Sequence, residues 1–175
     1  MRNQKQFVVI CLSLLFTLNA SLCLAKDDEQ PTLVNIKRMS LDVAVKIAQA
    51  TIKACRKEGV QIAVTVIDRG GHPQAVLRDV LAMDLTLTIS KQKAYTAMSF
   101  NTATSQLNDR FKNQGPFSIG KINGLVISAG GVFVNVGGNI IGGVGVSGAP
   151  SGKTDEKCAK AGLEAVQDDL EMASM

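Results

Sequence analysis

Apolar positions along this chain change period in an ordered way, and the changes mark out elements. Leu41, Ala44, Val45, Ala48, Ile52 and Cys55 fall at three- and four-residue spacing between Ser40 and Gly59. That pattern predicts an amphipathic helix capped by Ser40 and stopped by Gly59. Gln61 to Asp68, rich in Val and Ile, predicts a strand. Arg69-Gly70-Gly71-His72-Pro73 predicts a turn, and Gln74 to Asp79 a returning strand. A helix is expected over Asp84 to Phe100, with Leu87, Ile89, Ala94 and Met98 as its apolar positions, and a shorter one over Ala103 to Phe111. After a polar loop, Lys112 to Phe117, three strands are expected: Gly124 to Ser128, Gly131 to Val136 and Asn139 to Val146. Gly137-Gly138 is the hairpin turn between the last two. A final helix is expected from about Thr154, capped there or at Asp155, to Leu170. The order is α-β-β-α-α-β-β-β-α. Strands in hairpin-linked groups predict an α+β fold, a five-stranded antiparallel sheet with flanking helices.

Residues 1–25 have a different character. Arg2 and Lys5 precede an apolar run from Phe7 to Leu18, and Cys23-Leu24-Ala25 offers small residues for cleavage. The run is short for a bilayer span, so it reads as a secretory signal peptide, with no stable membrane span after its removal. Residues 26–38 are expected to be a mobile lead-in, and 39–172 a single domain. The expected location is periplasmic or secreted.

Charge narrows the partners. The whole chain carries a net charge of +4, and loss of Arg2 and Lys5 lowers it to about +2. That balance gives no basis for nucleic acid as a partner. Cys55 and Cys158 remain after cleavage. They read first as two buried thiols behaving as small hydrophobes, with a bridge between the first and last helices as the alternative.

Three motifs look chemical. Gly143-Val144-Gly145-Val146-Ser147-Gly148 matches the dinucleotide pattern G-x-G-x-x-G. That pattern needs a further strand and an acidic residue after the helix, whereas this chain has only a helix's length left. Close backbone packing and a sharp strand exit account for these glycines instead. Gly152-Lys153-Thr154 imitates the end of a phosphate-binding loop, but Ser147 stands where its first glycine belongs. What survives is a helix start able to hold an anion, with Ser147, Gly148 and Asp155 as its candidates.

His72, the one histidine, is expected to be exposed in its turn and is a weak metal candidate. A lone histidine supports no nucleophilic triad, and no catalytic residue is assigned. Helical spacing puts Lys91, Tyr95 and Met98 on roughly one face. A packed side and a solvated basic side explain that grouping simply. The functional reading makes it a cofactor cleft of Tyr95, Lys93, Met98 and Phe100, with Thr102 and Thr104 following at the helix end.

Five segments, in order, resemble the GlcG/HbpS-like family of haem-degrading or haem-binding domains. They are Leu41-Asp42 with its alanine-rich helix, Val66 to Gly71, Arg78-Asp79 with Ala82, Lys93 to Ala97, and Ile140 to Ala149 followed by Asp155 and Ala159. The resemblance covers about Met39 to Leu170. One departure lies at Gly130-Gly131-Val132, which is followed by Phe133 where the family often has proline. The resemblance implies a homo-oligomer and an exported haem-binding protein tied to redox sensing or haem handling, more a binder than an enzyme. It makes Thr102 and Thr104 oxygen ligands for haem. The rival expectation is a binder or enzyme for a small carboxylate of the 2-hydroxy acid type, using Ser147, Gly148 and Asp155. A third is a structural assembly module.

Overall fold

Glycine and valine alternate along one strand, and that alternation organises the molecule. The computed structural model describes residues 31–112 and 122–173. The signal segment, residues 26–30 of the lead-in and residues 113–117 of the polar loop lie outside them. Residues 31–38 are exposed and carry no helix or strand. From Ile36 onward the chain forms one compact unit. Its elements are α1 (Leu41–Lys57), β1 (Ala63–Asp68), β2 (Pro73–Arg78), α2 (Leu85–Phe100), α3 (Thr104–Phe111), β3 (Gly131–Val136), β4 (Asn139–Ser147), α4 (Gly152–Glu164) and α5 (Gln167–Met172).

The described strands form one antiparallel sheet in the order β2-β1-β4-β3. It has four strands, not the five expected. The segment expected as a strand over Gly124 to Ser128 has no ladder. It passes α2 instead, where the Val126 N–H donates to the Thr96 hydroxyl at 3.0 Å. A short apolar stretch has the same pattern whether it pairs with a strand or lies on a helix.

Period-two alternation gives the sheet two unlike faces. Val64, Val66, Val132, Val134, Val144 and Val146 belong to the large apolar cluster with α1 and α4. The opposite face of β4 is Gly143 and Gly145, and α2 lies on it. A Cβ at Gly143 would stand 2.6 Å from the Ala94 carbonyl oxygen, and one at Gly145 would overlap that of Ser90. The glycines therefore let a helix backbone approach the sheet backbone directly, so the dinucleotide-like pattern is a packing device. Because α2 rests on glycine, its buried face is small and polar: Ser90 bonds Thr65 across the interface at 2.8 Å.

Ser40 caps α1 as expected, its Oγ accepting from the Val43 N–H at 3.4 Å. The last helix starts earlier than expected: Ser151 is the cap, accepting from Thr154 N–H at 3.2 Å. It also breaks at Ala165–Val166 into α4 and α5. Cys55 and Cys158 form a disulfide, Cα to Cα 5.4 Å, joining α1 to α4. The first reading of two free thiols is thus replaced by its alternative. Both cysteines sit on buried helix faces that meet, a proximity that periodicity cannot reveal.

Candidate functional site

Helix α2 lines two hollows, and the residues singled out in the sequence divide between them. Tyr95 is 40 % exposed and points away from the sheet. It lines a hollow of about 400 Å³ with Gly71, Thr88, Lys91, Gln92 and Gly124. Gly71 has φ +84, and a Cβ there would lie 2.8 Å from the Tyr95 ring. Glycine is required on both counts, and its bareness lets the phenol rest on the β1–β2 turn. Among the described residues the Tyr95 hydroxyl has no hydrogen-bond partner.

The same turn holds His72, whose side chain is 79 % exposed. Asp68 organises the turn: its Oδ1 accepts from the Gly70 N–H at 2.8 Å and the His72 N–H at 2.9 Å. The His72 Nδ1 stands 3.3 Å from the same oxygen. Burial pushes the Asp68 carboxyl up, but the hydrogen bonds from His72 and Gly70 outweigh it and hold the group below its ordinary range. A carboxylate on Nδ1 orients the ring and leaves Nε2 facing outward, as in many ligating histidines. Among the described residues no group of three or more His, Cys, Asp or Glu is placed to hold a metal ion.

Met98 does not share the Tyr95 face. It is buried with Ile67 and Ala94 against the sheet, where the Arg69 guanidinium reaches its sulfur at 3.5 Å. The expected face of Lys91, Tyr95 and Met98 therefore splits, because the sheet takes the Met98 side. Phe100 is half-buried at the end of α2. Asn101, with φ 51, then turns the chain in a left-handed C-cap. Thr102 donates to the Gln106 side chain at 2.8 Å. Thr104 is fully buried, and its hydroxyl accepts from the Gly131 N–H at 2.8 Å. Both threonine hydroxyls are thus engaged in joining α2, α3 and β3.

The second hollow, about 290 Å³, lies between the start of α2, the end of β4 and the start of α4. Ser147, Gly148 and Asp155 all line it, so the three residues proposed for an anion do come together. Lys93, expected with the haem group, lines this hollow too. Its ammonium donates to Asp155 Oδ2 at 2.9 Å and to the Val146 carbonyl at 3.0 Å. Both side chains of the pair are 4 % exposed. Asp155 Oδ1 accepts from the Ala149 N–H at 3.0 Å. Burial pushes the Asp155 carboxyl above its ordinary range, and the bonds from Lys93 and Ala149 offset this only in part. Gly148 has φ +135 and ends β4 against Gln61 and Ile62.

Sequence reasoning missed Glu156, which is buried next to Asp155 and gathers three separate segments. It accepts from the Ser105 hydroxyl at 2.8 Å, from Lys160 at 2.8 Å and from the Gly130 N–H at 3.4 Å. Burial raises the carboxyl, but these donors, Lys160 and Ser105 foremost, hold it below its ordinary range. The one local signal is the four-residue spacing of Glu156 and Lys160.

Comparisons with known proteins agree with this architecture. The model of a family described as haem-degrading, HbpS-like proteins matches residues 39–164. A double mutant of HbpS from Streptomyces reticuli is 36 % identical, covering 78 % of this chain and 92 % of that one, with a TM-score of 0.73. An uncharacterised 15.0 kDa protein in the dhaT-dhaS intergenic region of Citrobacter freundii is 31 % identical over 116 residues, 65 % of this chain and 82 % of its own. A PduOC:haem complex shares the fold at 23 % identity, with a TM-score of 0.68 over 74 % of this chain and 95 % of that one.

Proposed function

This chain belongs to the HbpS-like family of haem-degrading proteins, and from that premise we propose that it is an exported haem-binding protein. The observation that carries the placement is Tyr95, a half-exposed phenol without a partner among the described residues, beside Lys91 in an open hollow. Donor chemistry fits the group: a phenolic oxygen suits ferric iron, and an ammonium suits a propionate. Tyr95 would hold the iron, Lys91 would pair one propionate, and the bare Gly71 would leave room for the face of the ring. His72, oriented by Asp68 on the same turn, is the second candidate ligand. The hollow is open, so it would hold haem by one face. Haem supplies visible absorption and, when its iron changes valence, redox chemistry. Redox sensing is the finer part of this reading and rests on the family resemblance alone.

Export is supported by the basic-then-apolar pattern of residues 1–25 and by the buried Cys55–Cys158 disulfide, which suits an oxidising compartment. Among the described residues no helix is long and apolar enough to cross a membrane. Self-association belongs to the same reading. It is supported by exposed apolar side chains, Val80, Leu81 and Met83 in the connection between β2 and α2 and Leu85 at the first position of α2.

The test is a haemin titration followed in the visible spectrum, with Tyr95→Phe, His72→Ala and Thr102→Ala beside the parent. A saturable Soret shift that Tyr95→Phe alters and Thr102→Ala leaves unchanged is expected. Non-saturating uptake in the parent removes the haem reading, whereas an altered spectrum only in His72→Ala moves the iron to that ring. Light scattering checks assembly, and a monomer mass at working concentrations overturns it.

A further inference from the structure

Asn-Gly occurs once in this chain, at Asn123-Gly124, and the fold brings it to the Tyr95 hollow. Both residues sit in a turn closed by the Leu125 N–H on the Ile122 carbonyl at 3.2 Å. Gly124 takes φ +94 in the third position, as a type II turn requires. Asn123 is exposed, and a Cβ at Gly124 would meet nothing within 4 Å. Gly124 also lines the hollow that Tyr95 and Lys91 share.

This dipeptide can react with itself. The Asn123 side-chain carbon Cγ and the Gly124 backbone nitrogen are spaced to close a five-membered ring. Glycine has no side chain to shield that nitrogen, and the space around it is open. The bond that closes the turn uses the Leu125 N–H, so the Gly124 nitrogen lies outside it. Ring closure needs the Asn123 ψ to rotate, which an exposed turn held by a 3.2 Å bond resists weakly. Other asparagines lack this combination. Asn35, Asn101, Asn135 and Asn139 precede Ile, Thr, Val and Ile, whose branched Cβ crowds the next nitrogen. Asn108 lies inside helix α3. Asn135 and Asn139 are also held, accepting from the Gly138 N–H at 3.2 Å and donating to the Gly137 carbonyl at 3.1 Å.

We propose that Asn123 is a site of self-modification, converting to aspartate and isoaspartate through a cyclic imide and placing a negative charge at the rim of the Tyr95 hollow. The Gly124 nitrogen gives its proton to solvent base and attacks Asn123 Cγ. The N–Cγ bond forms, the Cγ–Nδ2 bond breaks, and Nδ2 leaves as ammonia with a proton from water. Water then opens the imide. Cleavage at Cγ gives aspartate on the original backbone, and cleavage at the Asn123 backbone carbonyl carbon gives isoaspartate, with Gly124 linked through Cγ. Every step is a substitution or hydrolysis, and nothing is oxidised or reduced. Isoaspartate adds a methylene to the backbone inside the turn, and either product sets a carboxylate against the charge of Lys91. The conversion goes beyond the haem reading and stands without it.

The full chain, aged in heavy-oxygen water and peptide-mapped by mass spectrometry, tests this. Heavy oxygen should enter at Asn123 ahead of Asn101, Asn108, Asn135 and Asn139, with both aspartate and isoaspartate as products. The rate should rise with hydroxide concentration. Gly124→Ala, at an open and exposed turn, should slow conversion severalfold. Asn123→Gln, whose longer side chain closes a less favoured ring, should nearly abolish it. Amide NMR shifts of the aged chain should move at Lys91 and Tyr95 as well as at Gly124. Haemin enters none of these readouts, so failure of the haem reading is told apart from failure here. Conversion at Asn123 no faster than at the other asparagines, aspartate without isoaspartate, or an equal rate in Gly124→Ala would each overturn the proposal. Unmoved Lys91 and Tyr95 amides would overturn its effect on the hollow.

Discussion

Replacing Lys93 by Met tests how the second hollow is held together. Methionine keeps the unbranched length and removes the charge. Asp155 then loses its 2.9 Å partner and keeps only the Ala149 N–H at 3.0 Å. Both side chains are 4 % exposed, so little solvent screens the lost bond. Breaking one side of such a pair costs about 3–5 kcal/mol at neutral pH. The cost should shrink in acid, because burial already sets the folded Asp155 carboxyl above its ordinary 3.8. A group with a raised folded pKa contributes its stability below the unfolded value and loses it as pH rises through the folded value. Removing Lys93 raises that folded value further, so the loss extends to higher pH in the variant. Urea unfolding of both proteins at about pH 7.5 and about pH 5 measures this, and the gap between them should narrow toward acid. The Lys93→Met/Asp155→Leu double variant should be more stable than Lys93→Met, since neither charge is then left alone. A neutral-pH cost below about 1 kcal/mol would refute the reasoning, since that is the size expected of a solvent-screened pair. A gap that widens in acid would refute it equally.

Other expectations follow from neighbouring contacts. Gly145→Ala should unfold the domain or cost more than about 3 kcal/mol in a thermal melt, because its Cβ meets the Ser90 and Ala94 backbone. Gly59→Ala meets nothing and suffers only its φ of +72, so about 1 kcal/mol is expected there. Reducing the Cys55–Cys158 bridge, whose ends are 103 residues apart, should lower stability by about 2–5 kcal/mol. Identical melts with and without reductant would contradict that. Glu156→Gln should cost about 2 kcal/mol at neutral pH and flatten the acid side of the stability curve. The folded Glu156 carboxyl lies below its ordinary 4.5, so its contribution is present above that value and is lost as pH falls through the folded one. Thr104→Val should destabilise by about 1–3 kcal/mol by stranding the Gly131 N–H, and leave the haemin spectrum unchanged.

Local pattern carried the element order, with two exceptions at Gly124–Ser128 and Ala165–Val166. The Gly143-Val144-Gly145-Val146 alternation was legible as close packing without a partner being known, because strand period alone assigns the two faces. The five family segments also lie in the sequence, and they led to the same family that the wider comparison shows. Tertiary structure decided which distant groups meet. Lys93 and Asp155 are 62 residues apart and were assigned to different ligands, yet they are each other's partner. Cys55 and Cys158 read first as small hydrophobes, with a bridge between the first and last helices as the alternative, and the packing of α1 on α4 makes it the bridge. Met98 and Tyr95 share a helical stripe, but the sheet buries one and leaves the other open to solvent. Periodicity tells each side chain which way it points. What stands opposite depends on the long-range docking of helices and strands.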